Sequence, residues 1–71
     1  MMNMVGVNST NLDFIGYDPD TSTLRIQFKD GSIYEYFDVP QYVYDELYAA
    51  DSKGTYASRN IYKVYRQNRI Q

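Results

Sequence analysis

Along residues 23–29 the apolar positions Leu24, Ile26 and Phe28 alternate with Thr23, Arg25, Gln27 and Lys29. A period of two marks a strand with one buried face. Asp30-Gly31 follows, a pair that favours a tight turn, and Ser32 to Phe37 reads as the returning strand. Two registers compete for this hairpin. A two-residue loop sets Phe28 opposite Ile33 and Ile26 opposite Glu35, which places a carboxylate on the apolar face. A three-residue loop, Lys29-Asp30-Gly31, lets Gly31 take the left-handed conformation of a bulge. It sets Ile26 opposite Tyr34, Leu24 opposite Tyr36 and Arg25 opposite Glu35. Because it groups apolar with apolar and joins opposite charges, this is the preferred reading. It turns Tyr34 and Tyr36 toward the core with their hydroxyls at the rim. The other register leaves both rings on an open face, free to stack on bases.

The rest of the chain is read outward from this hairpin. Leu12 to Tyr17 predicts a preceding strand with Phe14, Ile15 and Tyr17 as its apolar members. Its alternation is imperfect, and Gly16 marks either a bulge or a close backbone approach. Asp18 to Ser22 is a turn, with Pro19 fixing one dihedral. Asp18, Asp20 and Ser22 also suggest a calcium loop, but Thr23 and Lys29 stand where the Gly and Glu of that loop belong. Val39-Pro40 ends the last strand and opens a helix over Gln41 to Ala50, whose stripe is Val43, Leu47 and Ala50 with Tyr44 and Tyr48 beside it. Asp45 and Glu46 fall on its solvent side. Asp51 to Gly54 predicts the helix exit, with Gly54 as a left-handed cap. Ser58 suits the N-cap of a second helix over Arg59 to Gln67, with Ile61, Val64 and Tyr65 inward. The expected architecture is α+β: a three-stranded antiparallel sheet followed by two helices packed on one face, β-β-β-α-α. Residues 1–71 form a single domain, with residues 1–10 partly frayed.

Composition removes whole classes of chemistry. The 71 residues include no Cys and no His, so disulfides, thiolate nucleophiles, imidazole bases and the usual zinc ligands have no residues to supply them. No metal site and no cofactor are expected. Nine Tyr and three Phe supply much of the apolar area. No apolar run approaches the ~20 residues that span a bilayer. Residues 1–7 lack the features of a signal peptide, so the chain reads as soluble and cytoplasmic. The net charge of −2 conceals a division. All nine acidic residues lie at or before Asp51, whereas Lys53, Arg59, Lys63, Arg66 and Arg69 follow with no acid among them. On the expected second helix Arg59, Lys63 and Arg66 share one face, Tyr62 borders it, and Arg69 stands just beyond. Such a tail either meets an anionic partner or lies against acidic neighbours in its own domain.

One set of residues resembles a known family. It comprises Ser9-Thr10, Ile15-Gly16-Tyr17-Asp18, Leu24-x-Ile26-x-Phe28, Gly31, Tyr34-Glu35-Tyr36, Val39-Pro40, Ala50, Ser52-x-Gly54, Tyr56, Ile61 and Tyr65. In this order they resemble the KTSC domain, named from the C-terminal extension of some lysyl-tRNA synthetases and found also as a stand-alone domain. The resemblance implies a small domain with no catalytic residues to carry over and with RNA as the suggested ligand.

Three functions follow for comparison, none enzymatic. In the first, a noncatalytic module binds RNA or a nucleotide, with Arg59, Lys63, Arg66 and Arg69 holding phosphates and Tyr62, Tyr34 or Tyr36 stacking on bases. In the second, a homo-oligomer holds a small nucleotide between subunits, because one chain has little room for a closed pocket. In the third, a protein partner docks on Tyr42, Tyr44 or Tyr48. Catalysis ranks last: Ser52 beside Lys53 and Asp18 near Asp20 read better as cap and turn.

Overall fold

A computed structural model describes residues 2–71. The central hairpin forms in the three-residue-loop register. Strands β3 (Thr23–Phe28) and β4 (Ile33–Tyr36) pair Leu24 with Tyr36, Arg25 with Glu35 and Ile26 with Tyr34. Gly31 sits at φ +94°, a conformation that costs a residue without Cβ little. Asp30 locks the turn, its Oδ1 accepting from the Ser32 amide at 2.9 Å and from the Ser32 hydroxyl at 2.7 Å. On the outer face the Arg25 guanidinium donates twice to Glu35 Oε2, at 2.6 and 3.0 Å. Leu24 and Ile26 are fully buried on the inner face and Tyr36 nearly so.

Strand β2 (Leu12–Asp18) pairs antiparallel with β3. Its imperfect alternation has a cause: the register shifts between Leu12 and Phe14. In a regular strand Leu12 and Ile15, three apart, would face opposite ways. One extra residue at Asp13 brings both inward, opposite Phe28 and Ile26, and both are fully buried. Phe14, read with Ile15 and Tyr17 as an apolar member of this strand, stands on the outer face and is exposed. The bulge therefore lies at Asp13, and Gly16 is the close approach. A Cβ at Gly16 would come within 2.5 Å of Met4 Sδ, 2.9 Å of the Asn3 carbonyl and 3.0 Å of Met2 Cγ.

Among the described residues the sheet has five strands, not three. The N-terminal segment expected to fray supplies β1 (Val5–Gly6), pairing Val5 with Ile15. The C-terminal segment supplies β5 (Gln67–Arg69), pairing Tyr34 with Arg69 and Tyr36 with Gln67. All neighbours are antiparallel, in the order β1-β2-β3-β4-β5.

Among the described residues two helices cover the inner face. Helix α1 (Gln41–Ala49) follows an extended Pro40 and buries Val43 and Leu47. Helix α2 spans Lys53–Asn60, not the Arg59–Gln67 expected. Ala50 leaves α1 in an extended conformation, and Ser52, three residues after the last helical residue, caps a new helix by accepting from the Thr55 amide. Gly54 is therefore a helical residue rather than a left-handed cap. The helix stops where the Ile61 and Tyr62 amides both donate to the Ala57 carbonyl, at 2.9 Å each, and the chain turns out to meet β4. The free edge of β4 needs hydrogen-bond partners, and residues 66–71 supply them: Phe37 N donates to Arg66 O at 2.9 Å and Ile70 N to Ile33 O at 2.8 Å. The core between the two layers is Leu12, Ile15, Leu24, Ile26, Tyr36, Val39, Val43, Leu47, Ala57 and Ile61.

Candidate ligand-binding trough

With the second helix shortened, the basic residues no longer share a helical face. Arg59 lies in the last turn of α2, Lys63 and Arg66 lie in the connection, and Arg69 lies in β5. Arg66 reaches Asp38 at 3.5 Å, both side chains being largely exposed, and its guanidinium stands 5.2 Å from the Phe37 ring centre. An ion pair in such open surroundings contributes little. Among the described residues, Arg59, Lys63 and Arg69 have no side-chain carboxylate within 4 Å.

The tyrosines do gather. Tyr36 stacks on Tyr62 at 6.1 Å and on Tyr34 at 6.5 Å, and Phe28 meets Tyr34 edge-on at 5.8 Å and Tyr62 at 6.0 Å. The sheet register places Tyr34, Tyr36 and Phe28 on one face, and the turn after α2 brings Tyr62 onto it. Arg69, opposite Tyr34 on β5, holds its guanidinium 5.9 Å from the Tyr34 ring centre. Burial pushes the Tyr36 hydroxyl pKa up, with Tyr62 and Tyr34 adding to it, and burial raises that of Tyr62. Both stay protonated at neutral pH and can donate.

This aromatic cluster is part of a longer trough made of three concavities that share walls. One, of about 320 Å³, is lined by Phe28, Asp30, Ser32, Tyr34, Tyr36, Tyr62 and Gln67. The next, of about 440 Å³, shares Phe28, Asp30 and Tyr62 and adds Lys29, Thr10 and Asn11. The third, of about 300 Å³, shares Thr10 and Asn11 and runs along α2 past Ser52, Thr55, Ser58 and Arg59. Among the described residues Asp30 is the one carboxylate on these walls; its pKa is lowered, first by the Ser32 hydroxyl hydrogen bond and then by the Ser32 amide.

Of the residues expected at a site, Tyr34, Tyr36, Tyr62 and Arg59 line the trough and Arg69 stands over Tyr34. Lys63 and Arg66 do not line it. Sequence reasoning missed Lys29, Phe28 and the polar wall of Thr10, Asn11, Thr55 and Ser58. Lys29 was within reach, since the preferred hairpin loop begins with it. The hydroxyls of α2 were not, because in the sequence Ser58 reads as a helix start whereas it lies inside α2.

The other candidates have structural duties. Ser52 Oγ caps α2, and Lys53 Nζ donates to the Ala50 carbonyl at 2.9 Å. Asp18 Oδ1 accepts from the Asp20 amide. Among the described residues no group of three or more acidic side chains gathers to hold a metal ion, and no helix is long and apolar enough to cross a membrane. Tyr44 stacks between Tyr17 and Tyr48, while Tyr42 and Tyr48 are exposed. Desolvation, aided by a 2.6 Å hydrogen bond to Glu46, pushes the Tyr56 hydroxyl up to about 12.

Comparison with known proteins agrees with this architecture. A KTSC domain protein from Yersinia pestis, solved by crystallography, superimposes with a TM-score of 0.94 at 33% identity, covering 100% of both chains. A protein of Stutzerimonas stutzeri is 40% identical over 53 residues, 75% of each chain. A lysine–tRNA ligase of Nostoc sp. is 58% identical over 40 residues, which are 56% of this chain but only 7% of the ligase. The family model of the KTSC domain matches residues 8–65, and on these matches and the shared fold the chain belongs to the KTSC domain family.

Proposed function

We propose that this KTSC domain is a noncatalytic module that binds single-stranded RNA along the trough. The observation that supports this most is the continuity of the trough. Aromatic surface on Phe28, Tyr34 and Tyr62 lies between cations at both ends, Arg59 on one side and Arg69 on the other, with Lys29 between. Bases stack on aromatic rings while phosphates track cations, and neither contact requires a closed pocket. The kinship of a segment of lysine–tRNA ligases, enzymes named for an RNA substrate, points the same way. The overall charge of −2 opposes long-range attraction, so affinity is expected to be modest and local.

Fluorescence anisotropy with a labelled single-stranded oligoribonucleotide tests the reading. Three cations meeting phosphates give a slope of log affinity against log salt of about −2. Replacing Tyr62 by Leu keeps apolar area but removes the ring and should weaken binding by about 1 kcal/mol or more. No binding at low salt, or binding unaltered by Tyr62→Leu, contradicts the reading.

A further inference from the structure

We propose that the concavity between α2 and the Thr10–Asn11 loop seats the phosphate of a nucleotide whose base lies on Phe28 and Tyr62. The inference deepens the reading of the trough as a nucleotide surface and rests on it. Its walls are Thr10, Asn11, Ser52, Gly54, Thr55, Ser58 and Arg59. Among the described residues no carboxylate lines it, in contrast to the two concavities that include Asp30. A phosphate bears only acceptors, so a wall of hydroxyls, a side-chain amide and a guanidinium matches it, and Arg can grip two of its oxygens at once. Arg59 is free for this, having no side-chain carboxylate within 4 Å among the described residues. Ser52, Thr55 and Ser58 recur every third residue and so fall on one side of α2. Ser52 Oγ donates to Thr55 Oγ1 at 2.8 Å, which leaves the Thr55 proton to turn toward a ligand. Thr10 and Asn11 form the wall shared with the next concavity, where Phe28 and Tyr62 offer ring surface and Lys29 a second cation. Phosphate donors and a base platform therefore lie side by side.

The test compares adenosine 5′-monophosphate with adenosine by amide NMR titration of the whole chain, with the oligoribonucleotide assay run in parallel. The monophosphate should bind about tenfold more tightly than the nucleoside, the effect of one charge-assisted contact of this kind. The largest shifts should fall at Thr10, Asn11 and Ser58. Arg59→Gln should abolish the difference, and Ser58→Ala should reduce it, while both variants keep the dispersed spectrum of the folded protein. Equal binding of the two compounds, or a preference that survives Arg59→Gln, overturns the phosphate seat even where the oligonucleotide still binds. A preference lost in Arg59→Gln with no binding of the oligonucleotide upholds the seat and removes the single-strand reading instead.

Discussion

Single residues decide two features that no periodicity reveals. Gly16 is one. Its missing Cβ lets the segment Met2–Met4 cross the outer face of the sheet, and the Asn3 carbonyl, a backbone atom, cannot swing aside as a methionine can. Gly16→Ala should therefore destabilise the domain by about 1–3 kcal/mol, the usual range for overpacking, as read from urea unfolding. The same substitution should cost much less in a chain lacking residues 1–4. Asp30 is the other. Its carboxyl is held below the ordinary value of 3.8 by the Ser32 hydroxyl and amide. A group whose folded pKa is depressed stabilises above its unfolded pKa and loses that contribution as pH falls through the folded one. Stability should thus fall on acidification below pH 3.8, and Asp30→Asn should flatten that acid limb in denaturant titrations at stepped pH.

Elements show where local preference met competition. Helix α1 was legible because Val43 and Leu47 sit four apart behind a proline, and both face the core. Helix α2 was misplaced by six residues because two serines, Ser52 and Ser58, offer equivalent N-cap chemistry. Position relative to the core chose between them: starting at Ser52 buries Ala57 and Ile61 and frees the chain beyond for β5. Ser52→Ala should lower stability by about 0.5–1 kcal/mol, toward the low end because its hydrogen bond to the Thr55 amide is 3.4 Å long. Ser58→Ala should change the unfolding midpoint little, and the reverse order of effects would contradict the assigned helix start.

At the scale of the molecule, the two late additions to the sheet redistribute charge. Strand β5 carries Arg69 to Tyr34, while the connection before it hands Arg66 to Asp38 and Phe37. The basic tail is thereby split between two surfaces instead of forming one stripe. Replacing Lys63 and Arg66 together by Ala should leave RNA affinity within about twofold at physiological salt, where distant exposed charges are screened. Replacing Arg59 and Arg69 together should weaken it by about tenfold or more. Parallel anisotropy titrations separate the two surfaces, and equal losses would favour a diffuse electrostatic encounter over a trough.

Read by itself, the chain determined what neighbours in sequence decide: the β3–β4 register, the Gly31 turn, the Arg25–Glu35 pair and the buried stripe of α1. Each follows from contacts across a short loop or one helical turn, where side-chain pattern and turn chemistry act together. The tertiary structure alone decided the Asp13 bulge, the passage over Gly16, the start of α2 and the recruitment of β1 and β5. These satisfy demands that arise only once the layers meet, namely two apolar residues three apart seeking one core and sheet edges with unpaired amides. The aromatic half of the trough was therefore foreseeable from Tyr34 and Tyr36. Its polar half, drawn from residues 10–11 and 52–59, comes into being only when α2 packs beside the Thr10–Asn11 loop.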